Sequence, residues 1–282
     1  MSDMIETFGK LNNAEWLEVL KRSVREPYID GVAFPRFPHA EVQLGYNGSA
    51  DDEAMISAHE LWLYAEEYAR ALGFPLKEGG NVLDIGCGWG RITRTFMRDV
   101  PKERLYGVDI DPNAVLMTHI MGVPAQLQQS RPGEPLPFPD HSFNVAICNS
   151  VLTHLPENVA TSLMRDVARV LQTGTLFVFT VEDDAFLDYL GQPDLENHGV
   201  RWGMLKRHQA ELPALRARYA NGEFLYLVTT DSGALTSDVY GDAIIPRAWM
   251  EKNWGDFLEI VRFVPTSYPI KQAVVVARSR AG

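Results

Sequence analysis

Between residues 81 and 181, short apolar runs alternate with stretches where apolar residues return every three or four positions. The runs at 81–85, 105–108, 124–127, 143–148 and 175–181 predict five strands, and the stretches 91–98, 112–121 and 157–171 predict helices among them. Near-continuous apolar strands separated by amphipathic helices indicate a parallel sheet covered on both faces. A short helix near 246–252 is followed by two more strands, 257–264 and 271–277. The break between them, 265–269, begins and ends in proline and is too short for a helical crossover, so the two pair antiparallel as a hairpin. The expected fold is a Rossmann-like α/β sheet of seven mostly parallel strands, with helices on both faces and a terminal antiparallel hairpin.

The flanking segments follow other patterns. Residues 2–24 read as helical, with Leu11, Trp16, Leu17, Val19 and Leu20 at roughly helical spacing. Pro27, Pro35, Pro38, Gly45 and Gly48 punctuate an ordered loop. Ser57 stands as the N-cap of a helix over 58–72, which Gly73 and Pro75 end. Residues 1–75 thus form an N-terminal helical extension to a domain over 76–282. Residues 182–242 interrupt the sheet rhythm with a helix at 204–219, a strand at 224–228 and the aromatic residues Tyr189, Trp202, Tyr226 and Tyr240. An insertion of this length reads as a lid or substrate-binding element.

Composition narrows the class. With 46% hydrophobic, 10% aromatic and 22% charged residues over 282 positions, the chain is long and apolar enough to build a core. Its net charge, 26 − 37 = −11, supplies no electrostatic footprint for nucleic acid or anionic lipid. Cys87 and Cys148 alone make neither a disulfide framework nor a tetrahedral zinc site. No signal peptide pattern or bilayer-length apolar run is visible, so a cytoplasmic protein without a membrane partner is expected.

The chemistry is concentrated in Val82-Leu83-Asp84-Ile85-Gly86-Cys87-Gly88-Trp89-Gly90-Arg91, where an apolar strand runs through a glycine turn into a helix. Such a turn lets backbone approach a cofactor closely. Arg91 stands where a dinucleotide fingerprint has its third glycine, and Asp84 would crowd a pyrophosphate but suits a cationic ligand. The next strand ends in Asp109, 109 − 86 = 23 residues past the first glycine, where a carboxylate accepts the hydroxyls of a ribose. These features describe a phosphate-free nucleoside with a cationic head group.

The stretch resembles the first motif of class I S-adenosylmethionine-dependent methyltransferases, and Asp109 resembles their ribose-binding acid. The run 135–144, the segment Asn149-Ser150-Val151-Leu152-Thr153-His154-Leu155 and the turn 169–175 are similar to the loop before the family's fourth strand, the end of that strand, and the turn before its fifth. Asn144, and Thr173-Gly174-Thr175, depart from the Asp and Pro-Gly-Gly common in the family; both positions are usually structural. The segments 41–50, 150–155 and 272–276 resemble bacterial methyltransferases that modify sugars or polysaccharides. The resemblance implies S-adenosyl-L-methionine as cofactor, with Asp84, Gly86, Cys87, Gly88, Gly90, Asp109, Ile110, Asn149 and Tyr46 around it. Asn149 either lines the methionine portion or satisfies a turn, and Trp89 is either a wall of the site or core packing.

In-line methyl transfer requires an acceptor held on the axis of the S–CH₃ bond with water excluded. A hydroxyl acceptor is aided by a general base. His154, after the fourth strand, is the first candidate, set against a role in capping the next helix or bonding to backbone; Glu182, just past the fifth strand, is the second. The acids at 182–184 lack the ligand pattern of a metal site. The expected activity is methyl transfer to a small-molecule or saccharide hydroxyl. The alternatives are a small-molecule N-methyltransferase and a catalytically silent cofactor-binding subunit, while a nicotinamide-dependent reductase is disfavoured by Arg91 and the hairpin. Acceptor identity and oligomeric state stay open.

Overall fold

The computed structural model describes residues 2–228 and 241–280. Helices α1 (Ser2–Phe8) and α2 (Asn13–Ser23) precede a two-stranded hairpin of β1 (Tyr28–Ile29) and β2 (Val32–Ala33), then α3 (Ala40–Asn47) and α4 (Asp51–Ala71). The sheet proper begins with β3 (Val82–Ile85), β4 (Leu105–Asp109), α5 (Pro112–Ile120), β5 (Gln126–Gln129), β6 (Phe143–Cys148), α6 (Glu157–Val170) and β7 (Leu171–Val181). Beyond it come α7 (Asp184–Leu190), α8 (Val200–Leu205), α9 (Leu212–Ala220), β8 (Leu225–Leu227), β9 (Asp242–Ile244) and α10 (Arg247–Trp254). The final strands are β10 (Leu258–Val264) and β11 (Ala273–Ser279). Among the described residues no helix is long and apolar enough to cross a membrane.

The seven-stranded sheet has the order β10-β11-β7-β6-β3-β4-β5. Strands β3 to β7 run parallel, whereas β11 lies antiparallel between β7 and β10. The chain winds outward from β3 to β5 and returns at β6 to the other side of β3. That reversal is the switch point of the sheet, at the C-terminal ends of β3 and β6, where open α/β sheets take their ligands. Both faces of the sheet are buried. On β7, Leu176 and Val178 join the core shared with Trp16, Trp62 and Phe96, while Phe177 and Phe179 join the core under α6 and α10. Helix α6 presents Ala160, Met164, Val167 and Val170, all buried, along one stripe.

Several expected boundaries change for local reasons. The helical segment 2–24 is divided into two helices, because Asn12 starts a new one. Its side chain accepts from Glu15 N at 3.0 Å, and the Glu15 carboxylate accepts from Asn12 N at 2.8 Å. The loop expected at 27–48 holds β1, β2 and α3. Ser57 is not a cap: α4 begins at Asp51, with Asp51, Asp52 and Glu53 in its first turn where the helix dipole favours acids. The helix expected at 91–98 is a 3₁₀ turn over Thr93–Arg98, and the one at 204–219 is divided into α8, a 3₁₀ turn at Lys206–Glu211, and α9. Tyr240 lies outside the described residues.

Candidate active site

The glycine turn leaves β3 with Gly86, Gly88 and Gly90 at φ of 70°, 54° and 80°, a region costly for side-chain-bearing residues. A Cβ at Gly86 would lie 2.3 Å from Val151 Cγ2, and one at Gly90 2.8 Å from Val123 Cγ2. The turn's own N–H groups are largely engaged inside the protein. Gly86 and Cys87 both donate to Val108 O, at 2.8 and 3.1 Å, Gly90 donates to Cys87 O at 2.8 Å, and Gly88 donates to Asp109 Oδ2 at 2.8 Å. A phosphate-binding turn needs those donors free. This turn provides a close-packed backbone surface instead of an anion nest.

Asp109 ends β4 beside the turn and receives a second backbone bond, from Asp111 N to Oδ1 at 2.9 Å. Burial raises its carboxyl above the usual range, and the bonds from Asp111 and Gly88 oppose that rise. Each carboxylate oxygen retains acceptor capacity and the residue is part-exposed, so it fits a ribose diol. Ile110 follows with an exposed apolar side chain. Asp84 sits beneath the turn, only 1% exposed, and accepts from Thr93 Oγ1 at 2.5 Å. Burial pushes it up to about 6, against the pull of Thr93 and Arg91. Its carboxyl thus lies under the surface of the turn rather than on it.

Cys87 points into the sheet: a Cβ on Gly107 would lie 3.2 Å from its Sγ. Burial raises its thiol well above the ordinary value, so only its backbone belongs to the turn. Trp89 is buried, and its indole N–H donates to Asn47 Oδ1 at 3.0 Å, which ties α3 across the turn. Tyr46 of the same helix lies beside Gly88, where a Cβ would be 3.4 Å from Tyr46 Cδ1, and its hydroxyl donates to Asp111 Oδ2 at 3.2 Å. Burial and the carboxylate of Asp111 push this phenol up to about 12. Asn149 is part-buried just past β6. The departures from the family pattern are structural: Asn144 accepts from Asn81 N at 3.2 Å and donates to Gln172 Oε1 at 3.0 Å.

The second half of the site gathers at the ends of β6 and β7. His154 Nδ1 lies 2.9 Å from Gly241 O, and Gly241 N donates back to His154 O at 2.9 Å. A carbonyl only accepts, so Nδ1 carries the proton and Nε2 is the basic nitrogen of the neutral ring. Burial, with the Arg201 cation, lowers the affinity of this imidazole for a proton. Glu182 is buried at the end of β7, accepts from Gln272 Nε2 at 3.2 Å, and is pushed up to about 7 by burial. The same Gln272 amide donates to Ser150 Oγ at 2.9 Å. Asp183 is engaged elsewhere, capping α7 at Ala185 N and accepting from Thr266.

Two members of this cluster escaped the sequence reading. Asp242, 0% exposed, accepts from Arg201 Nε at 2.8 Å and from Arg201 Nη2, and Arg201 Nη2 stands 4.0 Å from Glu182 Oε1. The residues are 41 positions apart, and no local motif joins them. The available signal was the apolar run Ala243-Ile244-Ile245, which marks a strand after Asp242.

Residues 82–174 match the profile of the methyltransferase domain family. A probable methyltransferase from Aspergillus luteorubrus is 28% identical over 39% of this chain and 42% of its own length. A ubiquinone biosynthesis O-methyltransferase from Sodalis glossinidius is 30% identical over 34% of this chain and 39% of its own. The matched region thus spans only about two fifths of either relative. Magnesium protoporphyrin IX methyltransferase from Synechocystis, crystallised with bound S-adenosylhomocysteine, shares the fold with a TM-score of 0.50 at 16% identity, over 82% of this chain and 87% of that one. Residues 82–174 are thus similar to a methyltransferase domain, and the sheet around them has the fold of the Synechocystis enzyme.

Proposed function

We propose that this chain transfers a methyl group from S-adenosylmethionine to the hydroxyl oxygen of a small-molecule or carbohydrate acceptor. The observation that carries the reading is His154, a neutral imidazole oriented by Gly241 O at 2.9 Å, beside the switch point at the end of β6. The Synechocystis neighbour, with its bound product cofactor, supports the choice of cofactor, and the Sodalis relative, named an O-methyltransferase, supports oxygen as the acceptor atom. When bound, S-adenosylmethionine supplies a methyl carbon activated by its sulfonium.

The chain's own residues do the rest. Asp109 accepts the ribose hydroxyls, and Ile110 offers an apolar surface to the base. The engaged N–H groups of Gly86, Cys87, Gly88 and Gly90 leave no nest for a pyrophosphate. Asp84, below the turn, favours a cationic head group, Asn149 lines the methionine portion, and Tyr46 covers the turn. His154 Nε2 takes the acceptor's proton as the C–O bond forms, and Glu182 bonds to the acceptor. In this reading residues 1–75 are a helical extension that roofs the cofactor crevice through α3, and 182–242 are an insertion that walls the acceptor. The free, buried Cys87 and Cys148 suit a reducing cytosol.

N-methylation of a small amine is the second reading, favoured by the two buried carboxyls Glu182 and Asp242, which would hold a cation. The test is titration calorimetry with S-adenosylmethionine, S-adenosylhomocysteine and NADH. A screen of hydroxyl and amine acceptors with methyl-labelled cofactor then follows. Label transfer to hydroxyl compounds is expected; binding of NADH without either sulfur nucleoside would overturn the reading.

A further inference from the structure

Arg201 is the solvent-facing member of an otherwise buried network. Its side chain is 40% exposed, whereas those of Glu182 and Asp242 are 10% and 1% exposed. The network joins three separate elements. Glu182 O accepts from Ile245 N at 2.9 Å and Glu182 bridges to Ile244, so the end of β7 runs beside β9 and brings Asp242 next to Glu182. Gly241, the residue before Asp242, exchanges two hydrogen bonds with His154. Arg201, from α8, then reaches across to both acids and lies over the rings of Trp202 and Phe186, 5.2 and 5.8 Å from their centroids.

Asp242 needs that cation. Both bonds from Arg201 use its Oδ1, and its Oδ2 is buried with no hydrogen-bond partner among the described residues. A buried carboxyl so poorly bonded needs a neighbouring cation, and here that cation is Arg201. Among the described residues, the charged groups acting on His154 are Arg201 and Asp242, of opposite sign; those acting on Glu182 are the same two with Asp183. Arg201 lowers the proton affinity of both candidate groups, and Asp242 raises it.

We propose that Arg201, pinned by Asp242, is a positioning residue for methyl transfer, tying α8 to the ends of β7 and β9 so that His154 and Glu182 are held as one acid–base pair on the acceptor side. The inference rests on the proposed function, since it assigns His154 the task of base.

The test uses the full chain labelled with ¹⁵N-histidine, following the His154 imidazole by NMR through a pH titration. S-adenosylhomocysteine affinity is measured in parallel by calorimetry. Arg201→Met is expected to raise the proton affinity of His154 severalfold, Arg201→Lys to restore most of the original titration, and Asp242→Asn to lower it. A role in packing alone would not give shifts of opposite sign. If Arg201→Met fails to fold, Asp242→Asn decides. An unmoved His154 titration with nucleoside affinity intact overturns this inference alone. Failure of the wild-type chain to bind S-adenosylhomocysteine overturns the proposed function, and this inference with it.

Discussion

Gly88 donates its backbone N–H to Asp109 Oδ2 at 2.8 Å, so the glycine turn and the acid that ends β4 form one rigid unit before any ligand arrives. The carboxylate is thereby aimed with little rotamer freedom left to lose on binding. Asp109→Ala removes both this brace and the charged acceptor for a ribose. Hydrogen bonds to a charged group contribute about 1.5–3 kcal/mol, so S-adenosylhomocysteine should bind roughly 10- to 100-fold more weakly. Calorimetry on the two proteins checks this, and equal affinities would remove Asp109 from the site.

Gly90 separates backbone strain from crowding. Its φ of 80° is close to the 78° of Gly133, but a Cβ at Gly90 meets Val123 and Thr118 within 3 Å while one at Gly133 meets nothing within 4 Å. Gly133→Ala should cost about 1 kcal/mol, the strain of the backbone region, and Gly90→Ala a further 1–3 kcal/mol for overpacking. Urea denaturation of both variants measures the difference. Equal losses would mean that the turn moves freely enough to admit a side chain.

Glu182 makes stability depend on pH in a direction unusual for a carboxyl. Its folded value, pushed up to about 7 by burial, lies above the ordinary 4.5. Between those two values the folded chain binds more protons than the unfolded chain, so the contribution of this group to stability declines as pH rises, and levels off once the folded group has ionised. Glu182→Gln should flatten that decline, and its effect relative to wild type should change in its favour between pH 4.5 and pH 8 by an amount on the order of 3 kcal/mol. Asp84, pushed up to about 6, adds a decline of the same sign that the variant retains. Denaturant midpoints at the two pH values give the answer.

His154→Ala should lower turnover on a hydroxyl acceptor by about 10²- to 10⁴-fold while leaving S-adenosylhomocysteine affinity within about twofold. Neutral amine acceptors need no base, so transfer to them should persist. Rates with labelled cofactor for both acceptor classes distinguish the readings, and unchanged hydroxyl turnover would exclude this imidazole as the base.

Strands β3, β6 and β7 were legible because each is buried on both faces for most of its length, so 143–148 and 175–181 read as near-continuous apolar runs. The glycine turn and Asp109, proposed above to hold the cofactor, stood out in the sequence because they belong to adjacent strands at a fixed separation. The other half of the candidate site was only partly legible. His154 and Glu182 stood out from their positions at strand ends, but the bond of His154 to Gly241 spans 87 residues and the pairing of Arg201 with Asp242 spans 41. Such partners are joined by tertiary packing and leave no periodicity. The short 3₁₀ and α-helical pieces between 195 and 220 blurred together for the same reason, since tertiary contacts with Phe186, Leu187 and Leu225 fix their boundaries.

The antiparallel insertion of β11 between β7 and β10 has a consequence for assembly during synthesis. This strand follows every other strand in the chain, yet it fills an inner lane, its Val275 opposite Phe179 on one side and Phe263 on the other. While a ribosome is still making residues 273–279, β7 has a bare edge and β10 has no neighbour. The nascent chain must tolerate an open apolar border until that last lane arrives, which makes this edge the place where chaperones, or aggregation, would first take hold.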